Sequence, residues 1–266
     1  MTIGIMAALH DEIAELTDTI LSQTPYRRHH IGMRDYYVGE IEGQSCVLVI
    51  ARIGKVAAAA TTVNLIRDFG VSEIIFSGVA GGVANHVNVG DVVVATSLIQ
   101  HDMDARPLFP RYQIPLLGIA EFAPSISLSQ ELEAATHYFF EHVISQTISP
   151  EKMAQFGITK PTLHTGLIAS GDQFIGSGSE VARLSTMLPS ALAVEMEGAA
   201  VAQICHEYGV PCGIIRTISD RADATAHIDF NQFLTGVASH YSSGILRRFL
   251  AQRTPTAPSA ANRIVT

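Results

Sequence analysis

The sequence of 266 residues predicts an α/β layer protein with a mixed sheet. Apolar runs of strand length alternate with longer amphipathic or Ala-rich stretches through most of the chain, as expected of strands and helices packed in layers. Near residues 35–51 the helical spacers vanish, and "DYYVGEIEGQSCVLVI" reads as two strands around a Glu-Gly-Gln turn. That hairpin makes one part of the sheet antiparallel. With 47% hydrophobic and 16% charged residues the chain can bury a substantial core. Neither a linker nor an internal repeat divides it, so residues 1–250 are expected to form one domain.

Strands are expected near 2–8, 36–42, 45–52, 72–79, 91–98, 163–170, 191–196 and 212–219. The opening "MTIGIMAALHDEI" lacks a cationic start and a cleavage motif, and His10, Asp11 and Glu12 break its apolar stretch. It therefore reads as the first strand and not as a signal peptide. Helices are expected near 10–22, 55–69, 178–187, 197–208 and 230–250, with Gly70 and Gly209 where helix-terminating glycines belong. The stretch 105–160 carries "ARPLFPRYQIPLLGIAEFAPSISLSQ", rich in proline, and only 129–145 of it reads as helix, so a long functional loop is expected. The tail 251–266 is polar, contains proline and has no apolar period, which predicts disorder.

Composition excludes several classes of partner. A formal net charge of −8 gives no basic footprint for a phosphate backbone, so no nucleic acid is expected. Cys46, Cys205 and Cys212 form no CxxC pair, and reduced core thiols in a cytoplasmic protein fit them better than disulfides or zinc. No uninterrupted apolar run of roughly 18 residues occurs, so no membrane partner is expected. Gly78, Gly81 and Gly82 do not have GxGxxG spacing, and Gly54-Lys55 lacks the rest of a phosphate-binding loop. His101, Asp102 and Asp104 in "QHDMDA" have no second cluster to complete a metal site and read as a hydrogen-bonded loop.

The chemistry-bearing groups gather at predicted strand ends. Glu12 follows the first strand, Glu195 and Glu197 follow the strand near 191, and Ser219 and Asp220 end the strand near 212. The carboxyl ends of strands are where open α/β sheets collect their sites, so these carboxylates are expected to converge. Two-residue spacing at a strand end would put Glu195 and Glu197 on one face. The glycines after the strand ending in Phe76-Ser77 could admit a ligand to the backbone, and Phe174, just past "GLIASGD", could stack on a planar one.

In order along the chain, "IGIMAALHDEI", "ARIGKVAAA", "GVAGG", "GDVVVA", "HDMDA", "SGDQF", "VEMEGAA" and "TISDRAD" resemble bacterial 5′-methylthioadenosine/S-adenosylhomocysteine nucleosidases over residues 1–104 and 163–250. The resemblance implies a purine nucleoside phosphorylase-like fold, a three-layer αβα arrangement around a mixed and partly closed sheet, in a homodimer. It implies hydrolysis of the N-glycosidic bond of adenine nucleosides with a 5′ substituent, with water as co-substrate and no cofactor or metal. Residue by residue it implies Glu12 as the group that activates water, Asp220 as the acid that protonates N7 of adenine, and Glu197 as the ligand of the ribose hydroxyls. Met196 would line the ribose, Phe174 and Ile175 would meet the base, and Ser219 would support Asp220. Ala80 and Gly81 would face the nucleoside, Ile53 and Phe230 would form apolar walls, and Glu195 would support Glu197. The resemblance implies that residues 105–160 form a variable lid and dimer region that helps cover the 5′ substituent.

These residue types suit that reaction. Breaking the glycosidic bond makes the ribosyl group cationic, so a nearby carboxylate stabilises charge that the ground state lacks. Adenine leaves poorly as an anion and needs a proton from a positioned acid. Phe76 and Val79 stand in the stretch where hexameric phosphorylases carry an Arg and a Ser, which argues against phosphorolysis, the nearest alternative. A non-catalytic nucleoside-binding protein is the other alternative, opposed by the joint presence of Glu12, Glu197 and Asp220.

Overall fold

A computed structural model describes residues 1–23, 26–221 and 230–254. Its first strand, β1 (Thr2–Ala7), is followed by a single tight turn at His10–Glu12 and then by α1 (Ala14–Leu21). The expected helix over 10–22 is thus two pieces, because Ile13 leaves the helical region with φ −135°. Strands β2 (Arg27–Ile31), β3 (Arg34–Ile41) and β4 (Gln44–Ile50) form an antiparallel meander. Both of its turns carry two successive residues of positive φ, Gly32-Met33 and Glu42-Gly43, a twist that suits tight hairpins.

Helix α2 (Lys55–Arg67) leads to the long β5 (Glu73–Gly82) and then to β6 (Val92–Gln100). The stretch expected as a loop holds more structure than its prolines suggest. After the short β7 (Glu121–Phe122), α3 (Ile126–Tyr138) runs through a wider turn at Phe139–Val143 into α4 (Ile144–Thr147), and α5 spans Pro150–Gln155. The remaining elements are β8 (Leu163–Ser170), α6 (Gly178–Met187), β9 (Ala191–Glu195), α7 (Gly198–Tyr208), β10 (Cys212–Asp220) and α8 (Phe230–Phe233), which runs through a second wider turn at Leu234–Ala238 into α9 (Ser239–Ala251). The expected tail falls mostly on residues 255–266, outside the described residues. Before them, the Gln44 side chain donates to the carbonyls of Arg253 and Thr254.

Among the described residues ten strands make one mixed sheet. Along one edge β5 pairs with β10 from Ile74 to Gly81. Its other edge is shared, with β1 paired to Glu73–Phe76 and β9 to Gly81 and Gly82. Because β10 also pairs with β6, β6 with β8 and β8 with β9, the strands β5, β10, β6, β8 and β9 close into a ring. Strands β1, β4, β3 and β2 extend from that ring as an open wing.

Helices cover both faces of the sheet. Ile3 and Ile5 of β1 and Leu48 of β4 join a cluster with Leu16, Leu132, Leu246 and Phe249 from α1, α3 and α9. On the opposite face Met6, Val47 and Val49 pack with Leu65, Ala199, Ala202 and Cys205 from α2 and α7. Side chains alternate across a strand, so one apolar run feeds both cores. Each fully buried Leu or Ile contributes roughly 1.5–3 kcal/mol through removal from water.

Candidate active site

All twelve residues that the resemblance assigns to the site border one cavity. Glu12, Glu195, Glu197 and Asp220 reach it, and so do the apolar side chains of Ile53, Phe174, Ile175, Met196 and Phe230. Ala80, Gly81 and Ser219 supply the backbone and hydroxyl side. Among the described residues that line the cavity none is Lys, Arg or His.

Glu12 is buried in the turn after β1, which folds back so that three backbone N–H groups meet its carboxylate. Ala8 and Leu9 donate to Oε2 at 2.9 and 2.8 Å, and Val79 of β5 donates to Oε1 at 3.0 Å. A Cβ at Gly78 would lie 2.7 Å from Oε1, so glycine is required there for the strand to pass beneath the carboxylate. Burial pushes the Glu12 carboxyl above its ordinary range, against the opposing pull of the Leu9 N–H, the Arg216 charge and the other two N–H groups.

Glu197 does not lie on the strand. β9 ends at Glu195, and Glu197 has φ −138° and ψ −41° at the start of α7. The expected shared face is therefore replaced by divergence. Glu197 accepts the Gly54 N–H at 2.8 Å, whereas Glu195 turns to Arg216 at 2.7 Å. Burial first, and then the neighbouring Glu195 carboxylate, push Glu197 up to about 8.

Glu195 borders the cavity with both oxygens committed to the protein. It accepts the N–H groups of Glu197 at 3.1 Å and Gly198 at 2.8 Å and the hydroxyl of Ser170. Ser170 Oγ in turn accepts the Ala199 N–H at 2.8 Å. The N-terminus of α7 is thus capped by Glu195 and Ser170, and not by Glu197, whose side chain makes no cap bond. Sequence reasoning missed Arg216, which is 1% exposed, donates to the carbonyls of Phe76 and Ile215, and lies 4.0 Å over the Phe76 ring. An arginine inside the apolar run "CGIIRTISD" was the signal, because a buried guanidinium requires an anionic partner.

At the end of β10 the Ser219 hydroxyl donates to Asp220 Oδ2 at 2.7 Å. Asp220 is buried and registers with Gly81 of β5. Val79 lines the cavity, whereas Phe76 lies in the core beneath Arg216, so only one of the two positions weighed against phosphorolysis reaches the site. The 100–105 cluster is a hydrogen-bonded loop: Asp102 accepts from Lys55 Nζ at 2.6 Å, and Asp104 from Arg106.

The chain matches the phosphorylase superfamily over residues 2–251. It is 35% identical to a 5′-methylthioadenosine/S-adenosylhomocysteine nucleosidase of Actinobacillus succinogenes, covering 95% of this chain and 99% of that one. It is also 35% identical to an aminodeoxyfutalosine nucleosidase of Helicobacter pylori, covering 92% and 96% of the two chains. A crystal structure of the Neisseria meningitidis methylthioadenosine/S-adenosylhomocysteine nucleosidase in complex with methylthio-immucillin-A superposes with a TM-score of 0.80 at 32% identity, over 95% of this chain and 99% of that one. The protein belongs to the phosphorylase superfamily and, within it, to the 5′-methylthioadenosine/S-adenosylhomocysteine nucleosidase family.

Proposed function

We propose that this protein is a hydrolase that cleaves the N-glycosidic bond of 5′-substituted adenine nucleosides and releases adenine. The observation that carries this reading is four carboxylates around one apolar cavity, with no cationic side chain among its described lining residues. Glu12, held by three backbone N–H groups in a partly desolvated site whose described lining offers no cation, stabilises a cationic ribosyl group, and such a site disfavours phosphate dianion.

Glu12 orients the water and takes its proton as the C1′–N9 bond breaks. Burial raises its basicity, which brings its pKa nearer the working pH of a general base. Asp220, held by Ser219, delivers a proton to N7 so that adenine departs neutral. Glu197 holds the ribose hydroxyls, with Met196 against the sugar. Phe174 stacks on the base and the backbone at Ile175 reads its edge, while Ala80 and Gly81 pass beside the nucleoside and Ile53 and Phe230 wall the 5′ side. Glu195 acts through Glu197, since its own oxygens are engaged by Arg216, Ser170 and the start of α7.

The protein works as a homodimer in the cytoplasm in this reading. Ile53 and Phe174, at the cavity, are each 55% exposed, and Val56, Leu108 and Leu116 stand out further, which supports a partner surface that covers them. Three free buried thiols support a reducing compartment.

The test is adenine release from methylthioadenosine, S-adenosylhomocysteine, 5′-deoxyadenosine and 6-amino-6-deoxyfutalosine, each with and without phosphate. Release is expected at the same rate in both, and kcat/KM across the four ranks the substrates. Phosphate-dependent cleavage would overturn hydrolysis. Asp220→Asn is expected to cut kcat by about 10² to 10⁴ while a non-hydrolysable analogue still binds. Analogue binding by a wild-type protein that never turns over would instead identify a binding protein.

A further inference from the structure

Three strand-end loops meet beside the cavity in a closed ring of hydrogen bonds. The Lys55 N–H donates to Asp172 Oδ1 at 2.8 Å, and the Asp172 N–H donates to Asp102 Oδ2 at 2.9 Å. Lys55 Nζ closes the ring on Asp102 Oδ1 at 2.6 Å and also reaches Gln100 Oε1 at 3.1 Å. The Lys55 and Asp102 side chains are only 16% and 23% exposed, so the pair is better shielded than a surface salt bridge. Burial raises the Asp102 carboxyl, but hydrogen bonds from Lys55 and the Asp172 N–H, with the Lys55 charge, more than offset it and leave it below its ordinary range.

The ring sits between the two loops that flank the cavity. One holds Ile53 and Gly54, and the Gly54 N–H is bonded to Glu197 at 2.8 Å. The other holds Phe174 and Ile175, two and three residues beyond Asp172. Successive backbone N–H groups, Gly54 and Lys55, thus go one to the sugar-side carboxylate and one to the base-side loop. Gly54 has φ +102°, and a Cβ there would approach Asp172 Oδ1 to 3.2 Å, so the clamp relies on glycine.

We propose that Asp172, closed into a ring with Lys55 and Asp102, is a positioning residue that sets the separation of the sugar-binding carboxylate from the base-binding loop. Its effect on turnover rests on the proposed nucleosidase reading, whereas the mechanical coupling of the two loops does not. Phe174 is largely exposed and belongs to no helix or strand, so its loop is fixed at one end by the Asp172 clamp and at the other by Ile175, which is buried in an apolar cluster with Leu184 and Val194.

The experiment compares wild type, Asp172→Ala and Asp172→Asn by amide hydrogen exchange of the ligand-free protein and by steady-state kinetics on methylthioadenosine. Asp172→Ala is expected to speed exchange in residues 53–56 and 173–176 together and to raise KM about tenfold, with a smaller fall in kcat. Asp172→Asn keeps the oxygen that accepts the Lys55 N–H and is expected to restore both. Faster exchange in one loop only, an unchanged KM, or a loss that Asn does not rescue would overturn the proposal. If the wild type releases no adenine, the nucleosidase reading fails while joint loosening of the two loops still supports the clamp, and its absence still sinks it.

Discussion

Among the described residues Glu197 carries a clear pH signature. Its carboxyl is pushed from 4.5 up to about 8 by burial and by Glu195, so between these values the folded protein binds a proton that the unfolded chain releases. Its contribution to stability is full below about pH 4.5 and is lost as pH rises through about 8. Glu197→Gln removes that dependence. Thermal unfolding across this range should show the variant and wild type falling together at low pH. At pH 8 the variant should melt several degrees higher than the wild type, because ionising the buried carboxyl costs the wild type stability that the neutral amide keeps. A variant whose pH curve parallels the wild type would refute the assigned titration.

At the scale of the element, the buried pair between Arg216 on β10 and Glu195 at the end of β9 ties the strand that presents Asp220 to the strand that leads into Glu197. Removing one partner leaves a buried charge uncompensated, so Arg216→Met is expected to cost about 3–5 kcal/mol. Arg216→Met with Glu195→Gln should lose less than Arg216→Met alone. Equal losses in chemical denaturation would place the cost in packing over Phe76 rather than in charge. Apolar runs made β5, β6, β8 and β10 legible, and Gly70 and Gly209, both at positive φ, mark the ends of α2 and α7 as read. The strand β2 escaped because "RRHHI" is a polar edge with no alternation. The helix α5 did carry a signal, a Ser149 cap followed by Pro150, which the surrounding prolines obscured.

For the whole molecule, ring closure is what assembles the site. β9 runs antiparallel to β5, so Glu195 and Glu197 do not share an edge with the ends of β1 and β10 as they would in an open parallel sheet. They meet Glu12 and Asp220 because β9 joins β5 only at Gly81 and Gly82, where β1 no longer occupies that edge. Exposed apolar side chains at the mouth predict that the site is completed by a second copy. Sedimentation at micromolar concentration should give twice the 28.5 kDa chain mass. A fully active monomer would refute that assembly.

The α/β class, the acidic groups at strand ends and, through the order of its motifs, the family can be read along the chain. Those are properties of local pattern, because apolar period and residue type are written along the chain. Which partner each carboxylate takes depends on how the strands are brought together in the fold. Glu195 meets Arg216 and Glu197 meets Gly54, groups 21 and 143 residues away along the chain. Such pairings follow from sheet closure, and buried charge finds its partner in space rather than in sequence.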